Sequence, residues 1–354
     1  MRKEKGFTII EVLVALALGV LMSLGLIKVF DNSRNLANTE TSLSRIQEIG
    51  RYVINILAED IRMVGYVGCS DPSVMQVTVM ADEGADKDFR NTYLRGFEVA
   101  SGGTFSPALP SGDSLEDIQG AGAGNARGGS DVFQVKFAGR TGAKLVENSD
   151  AVNANIKVDS NPTELDQGDL AMVSDCKSAH IFEITNVVNS GGANPRITMT
   201  HGGNANTPHK MLPGYTDKAE LLTYQEMTYF VGDTGRDTPS GQDIYALYKK
   251  EGTDAAQELL EGIEFLQVSY GETLDDGNVR FLDADTAGLD FTKVDVMRIA
   301  ILVQGFDLAA VREDEKTYSL LGEEIAHDST VAHAGGRTIR KPFTATIKLR
   351  NVGN

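Results

Sequence analysis

Positive charge is scarce in this chain. Over 354 residues, 33 basic side chains stand against 50 acidic ones, a formal net charge of -17. A surface of that sign repels phosphate, which argues against a nucleic-acid-binding role, and it is equally wrong for docking on anionic lipid. Any membrane contact must therefore come through a hydrophobic segment. Cysteine is nearly absent, and the spacing of Cys69 and Cys176 fits no C-x-x-C metal or redox motif. Proline does not occur before Pro72, so nothing upstream of it forbids one continuous helix. The G-x-S-x-G elbow, H-E-x-x-H and the P-loop are all missing. Gly120, Gly122 and Gly124 lack the preceding strand and following helix of a dinucleotide fingerprint. His201-Gly202-Gly203 is faintly similar to a lipase oxyanion segment, but without a nucleophile elbow it reads as a glycine turn; His180, His209, His327 and His333 are scattered, and surface or turn positions are expected for them. Asp283-x-Asp285-x-x-Gly288-x-Asp290 has the first half of a calcium loop, but Val294 stands where the bidentate glutamate belongs, so a solvated acidic loop is expected. No internal repeat is present. The expectation is a protein without catalytic residues, cofactor or metal.

What the chain does have is a long apolar run at its start. Val12 to Ile27 is free of charge, and the apolar character extends from Phe7 to Phe30 with only Glu11 and Lys28 interrupting. That is close to the ~20 helical residues that cross a ~30 Å hydrocarbon core. Arg2, Lys3 and Lys5 precede the run, which predicts a cytoplasmic N-terminus and an exported C-terminal bulk. In an oxidising compartment the even cysteine count suggests one disulfide, worth about 4 to 5 kcal/mol in the chain-entropy model. Two unpaired buried thiols are the alternative. A secretory A-x-A cleavage site after the run is missing, since Ala15 and Ala17 lie inside it. Instead the basic leader MRKEKG ends in Gly6, directly before the apolar stretch. Glu11 is the anomaly, because a carboxylate in such a span costs on the order of 2.5 to 3.5 kcal/mol and calls for a counter-charge.

Gly6-Phe7-Thr8-Ile9-Ile10-Glu11 resembles the class III signal of type IV prepilins and type II secretion pseudopilins. The resemblance implies cleavage after Gly6 by a prepilin peptidase, N-methylation of the new N-terminus at Phe7, and a role for Glu11 in assembly, paired with the freed amine of a neighbouring subunit. An ordinary signal anchor, with Glu11 reaching the headgroups, predicts an intact leader instead.

Beyond the membrane, Leu36, Leu43, Ile46, Ile49, Val53, Ile56, Leu57, Ile61 and Val64 recur at spacings of mainly three and four, predicting an amphipathic helix with Gly50 as its one interior interruption. A single helix from about Thr8 to Met63 follows. Where major pilins carry a helix-kinking proline, this chain has Lys28. After Cys69 the pattern turns to short β-like runs: 132–137, 181–188, 196–200, 221–231, 244–248, 263–270, 294–303 and 343–349. In the last, Phe343, Ala345, Ile347 and Leu349 alternate with polar residues. Strands without intervening helices predict an antiparallel, β-rich head and an α+β fold. Residues 1–6 read as leader, 7–30 as transmembrane or filament-core helix, 31–68 as its amphipathic continuation and 69–354 as head.

Several phrases in the head resemble the PilW-type minor pilins. They are Met63 to Cys69, Gly129 to Val132, Asp175 to Phe182, Leu259 to Gly271, Arg298 to Val303 and Phe343 to Asn351. The resemblance implies a Cys69–Cys176 bridge pinning the helix end to the sheet. It also implies an inner-membrane subunit, head in the periplasm, that later joins a surface pilus near its tip and helps initiate assembly. The implied partners are the prepilin peptidase, other minor pilins, the major pilin and a tip adhesin. The alternative within the class is the large J-like minor pseudopilin of type II secretion. A membrane-anchored adhesin without a filament role is the alternative outside it.

Overall fold

The computed structural model describes residues 8–68, 75–82, 88–149, 153–190, 196–207, 214–274, 276–305 and 308–352. Helix α1 runs unbroken over Ile9–Met63, 55 residues, or roughly 82 Å. Thr8 caps its start in an extended conformation. Its end is set by Gly65, whose φ of +71° only glycine adopts freely. Along the first half every apolar side chain from Ile9 to Phe30 lies exposed, and from Ser42 onward one stripe is buried: Ile46, Ile49, Val53, Leu57 and Ile61. The stripe matches expectation except at Leu36, which is 60% exposed. Leu36 lies below the head, whose contact with the helix is seen at Thr39, where the hydroxyl donates to the Ala309 carbonyl at 3.0 Å.

The head is built from strands β1 (Gln76–Val79), β2 (Leu94–Val99), β3 (Phe105–Ser106), β4 (Asp131–Lys144), β5 (Asn155–Val158) and β6 (Leu170–Ser174). These are followed by β7 (Ser178–Glu183), β8 (Asn186–Asn189), β9 (Ile197–Thr200), β10 (Glu220–Asp237), β11 (Asp243–Glu251) and β12 (Gln257–Glu261). The last are β13 (Ile263–Thr273), β14 (Val279–Leu282), β15 (Val294–Gln304), β16 (Tyr318–Leu320), β17 (Glu323–Ile325) and β18 (Arg340–Lys348). A nine-stranded sheet has the order β1-β7-β6-β10-β4-β2-β3, with β11 and β12 continuing from the far half of β10. A second sheet has the order β14-β13-β15-β18, and β5-β9-β8 form a small third one. Pairing is antiparallel throughout these ladders except for β1 beside β7.

One continuous core joins α1 to the two larger sheets. It contains the helix stripe, Phe133, Val135 and Phe137 from β4, Leu266 and Val268 from β13, Ile299 and Ile301 from β15, and Ile347 from β18. The buried half of α1 thus lies against both sheets, and its removal would expose the core of each. The expected run 181–188 is two strands in two sheets, broken where Ile184 and Thr185 turn the chain from β7 in the large sheet to β8 in the small one.

Candidate functional site

At the membrane end, Gly6 and Phe7 lie outside the described residues. Glu11 is described, at the third position of α1. Its Oε2 accepts from the Thr8 N–H and from the Thr8 hydroxyl, each at 3.0 Å, while its own N–H donates to Thr8 Oγ1 at 3.4 Å. This reciprocal capping box satisfies two orphan donors of the helix start and holds the carboxylate at the positive end of the helix dipole. Glu11 therefore has a local use besides its expected pairing. An eighteen-residue apolar window of α1 is wholly unburied within the chain, and the helix is long and apolar enough to cross a membrane.

At the other end, the phrases noted in the sequence meet around the helix terminus. Gly65 N–H donates to the Lys136 carbonyl at 3.0 Å, and Ala138 N–H to the Tyr66 carbonyl at 2.7 Å, tying the chain after α1 to β4. Gly68 has a φ of +116° and packs so close to Ser174 that a Cβ would stand 2.8 Å from its hydroxyl. That contact brings the residue before Cys69 within two positions of Cys176. Cys69 itself lies outside the described residues, whereas Cys176 occupies the tight β6–β7 turn with a φ of +68°. Asp175 holds that turn by accepting from the N–H groups of Lys177 and Ser178 at 3.0 and 3.1 Å.

The C-terminal phrase closes the same joint. The Phe343 ring lies over Gly50, where a Cβ would approach within 2.6 Å, so the interruption of the helical pattern marks close contact with β18 rather than a weak point. Asn351 Nδ2 donates to the Arg62 and Val64 carbonyls at 3.1 and 3.3 Å, supplying a partner for the exposed end of α1.

The Gly129–Val132 and Leu259–Gly271 phrases face one another. The first part of β13 has β15 on one edge; on the other, the side chains of Ser130 and Asp131 take the place of a strand. Leu266 N–H donates to Ser130 Oγ and that hydroxyl donates to the Leu266 carbonyl, both at 3.0 Å, while Val268 N–H donates to Asp131 Oδ2 at 2.6 Å. Arg127, stacked between Tyr245 and Phe265 at 3.5 and 3.9 Å, donates to the Glu264 carbonyl at 2.7 Å. Below it, Arg340 is fully buried in a fork with Glu264, at 2.7 and 3.0 Å, and reaches Asp314 at 3.0 Å. Sequence reading found the phrases but not this buried ion pair, because no local pattern links residues 264, 314 and 340.

His327 is exposed as expected, and three other histidines depart from expectation. His180, His201 and His333 are buried, at 7%, 0% and 3% exposure. His180 Nδ1 lies 2.7 Å from the Tyr215 hydroxyl, and among the described residues neither ring nitrogen of His201 has a partner. Burial pushes the pKa of both rings down to about 4. His209 lies outside the described residues. The acidic segment does not close on a common point: Asp290 accepts from Thr292 N–H as a helix cap at 3.1 Å, while Asp283 accepts from Ser269 at 3.4 Å. Among the described residues no group of three or more His, Cys, Asp or Glu is placed to hold a metal.

A long exposed apolar helix opening on a prepilin-like motif, with a β-rich head clasped to its second half, defines a pilin-like protein. Residues 1–27 match the prokaryotic N-terminal methylation motif. Residues 228–351 match the family described as Type IV Pilus-assembly protein W, so the PilW-type resemblance holds over the region of β10 to β18. No curated protein matches the chain. The protein is related to the type IV pilus. Its N-terminal motif and helix are those of a membrane-anchored pilin.

Proposed function

We propose that this chain is a minor pilin of the PilW type, cut after Gly6 by a prepilin peptidase, methylated on Phe7, and incorporated at or near the tip of a type IV pilus, where it helps to start assembly. Residues 1–6 are then the leader, and the helix from Phe7 serves twice. It rests in the inner membrane with the head in the periplasm, then leaves lipid for a bundle of like helices in the filament. Both surroundings are apolar, so the exposed face from Val12 to Phe30 makes the transfer at small net hydrophobic cost. The observation that carries the reading is the coincidence in one chain of the methylation motif and the PilW match. The PilW match also favours the pilus over the J-like secretion alternative.

Cys69 and Cys176 are read as one bridge, fixing the end of α1 to the β6–β7 turn. The approach of Gly68 to Ser174 and the absence of a free cysteine among the described residues support it. Partners follow from the helix: the peptidase, other minor pilins and the major pilin, with a tip adhesin above. Mass analysis of the protein extracted from membranes tests the reading. The expected N-terminus is methylated Phe7; an intact Met1 with unmodified Phe7 would overturn it and leave a signal-anchored binding protein.

A further inference from the structure

Glu98 on β2 and Asp131 on β4 are direct cross-strand partners, so two carboxyl groups stand opposite one another on one face of the large sheet. That face is the joint with the second sheet. Asp131 is 3% exposed, and its Oδ2 takes the Val268 N–H across the joint. Among the described residues its Oδ1 receives no N–H or hydroxyl donor, and the Tyr270 hydroxyl, also fully buried beside it, has no partner either. Glu98 Oε1 accepts from Ala284 N–H at 3.1 Å. Among the described residues, the groups acting on the pair from the other elements are the Tyr270 phenol of β13, and Asp283 and Asp285 of the turn after β14. The charged ones are all acidic. Like charges directly opposed in a sheet are destabilising, and with Asp131 buried and Glu98 half-buried the two carboxylates cannot both ionise without repulsion.

We propose that Glu98 and Asp131 share a single proton, and that this carboxyl pair is a pH-sensitive clasp between the large sheet and the C-terminal sheet. The proton supplies the donor that Asp131 Oδ1 lacks and leaves Oδ2 free to hold Val268. Burial, reinforced by the mutual repulsion of the acids, raises both groups above the usual carboxylate range. The folded chain thus keeps a proton that the unfolded chain gives up above about pH 4. Stability from the clasp is complete at low pH and is lost as pH rises through the pair's raised range. Once both are ionised, repulsion acts on the strand that carries the Val268 contact.

The test uses the full chain in detergent micelles. Asp131→Asn retains an oxygen for Val268 N–H and supplies an N–H for Glu98, so it fixes the clasp shut at every pH. The melting temperature of the native protein, measured relative to this variant, is expected to fall by roughly 3 °C or more between pH 5 and pH 8. Taking the difference cancels every other titrating group. In the infrared at pH 7, the native protein is expected to show a neutral-carboxyl carbonyl band that is absent from Asp131→Asn and Glu98→Gln. A melting difference that stays constant over this range, or a native spectrum without the band, overturns the proposal. The native spectrum decides the matter even if a variant fails to fold.

Discussion

Gly50 shows how a single residue can carry the placement of a whole domain. Glycine inside a helix is unfavourable by about 1 kcal/mol relative to alanine, yet here the missing side chain admits the Phe343 ring. Gly50→Val is expected to destabilise the head by about 1 to 3 kcal/mol through overpacking, read as a lowered midpoint in denaturant. Phe343→Ala added to it should recover part of that loss; a double variant with the full sum of both defects would show that the two residues do not meet. Arg340 makes the complementary case. With Glu264 and Asp314 it is buried, each of its three nitrogens bonded to a carboxylate, so Arg340→Met leaves two carboxylates without their cation and should cost about 3 to 5 kcal/mol. The alternation of Phe343, Ala345, Ile347 and Leu349 was legible in the sequence because a period of two is local. The facing of Glu264 and Arg340 was not, since 76 positions separate them.

At the scale of elements, the sequence reveals those whose pattern is long and one-sided. Helix α1 has both ends where the apolar spacing puts them, and β10, β13, β15 and β18 all lie where apolar runs predict strands. The strands that escape are of two kinds. β6 and β2 are buried on both faces, so their residues show no alternation, and β2 is further disguised by Gly96, which makes room for the Tyr270 ring. The others, such as β12, β14, β16 and β17, are short and owe their existence to neighbours. The β7 and β9 region supports a prediction of its own. His180 and His201 are neutral and buried in the fold, with pKa values lowered from 6.5 to about 4. Above about pH 6.5 both folded and unfolded rings are neutral and contribute no pH dependence. As pH falls from there to 4, the unfolded chain binds protons that the folded one refuses, and each ring withdraws on the order of 3 kcal/mol of stability. Urea midpoints should drop steeply across that window. His201→Phe, which fills the space beside Phe182 without a titrating group, should flatten the drop; an unchanged slope would assign it elsewhere.

For the whole molecule, the question is how one helix can be stable in two surroundings and still find its register. The segment from Val12 to Ile27 holds only apolar and small residues, so its packing separates one axial position from another less sharply than a charge does. Glu11 breaks that degeneracy, as a lone buried polar group does in coiled coils. The structure adds that the same carboxylate also closes a capping box with Thr8, so a simple deletion would confuse helix capping with charge pairing. The two can be separated. Glu11→Gln preserves the box, which glutamine serves as well as glutamate, and removes only the charge; Glu11→Leu removes both. If the counter-charge sets the register, both variants should reach the membrane in normal amounts, be cleaved after Gly6, and yet fall at least tenfold in the sheared pilus fraction of a piliated strain. Glutamine at native incorporation with leucine failing would make the box, not the charge, the working part. Both variants entering pili normally would mean that the helix finds its register by the head alone, through the joint that Gly50, Phe343 and Asn351 hold together.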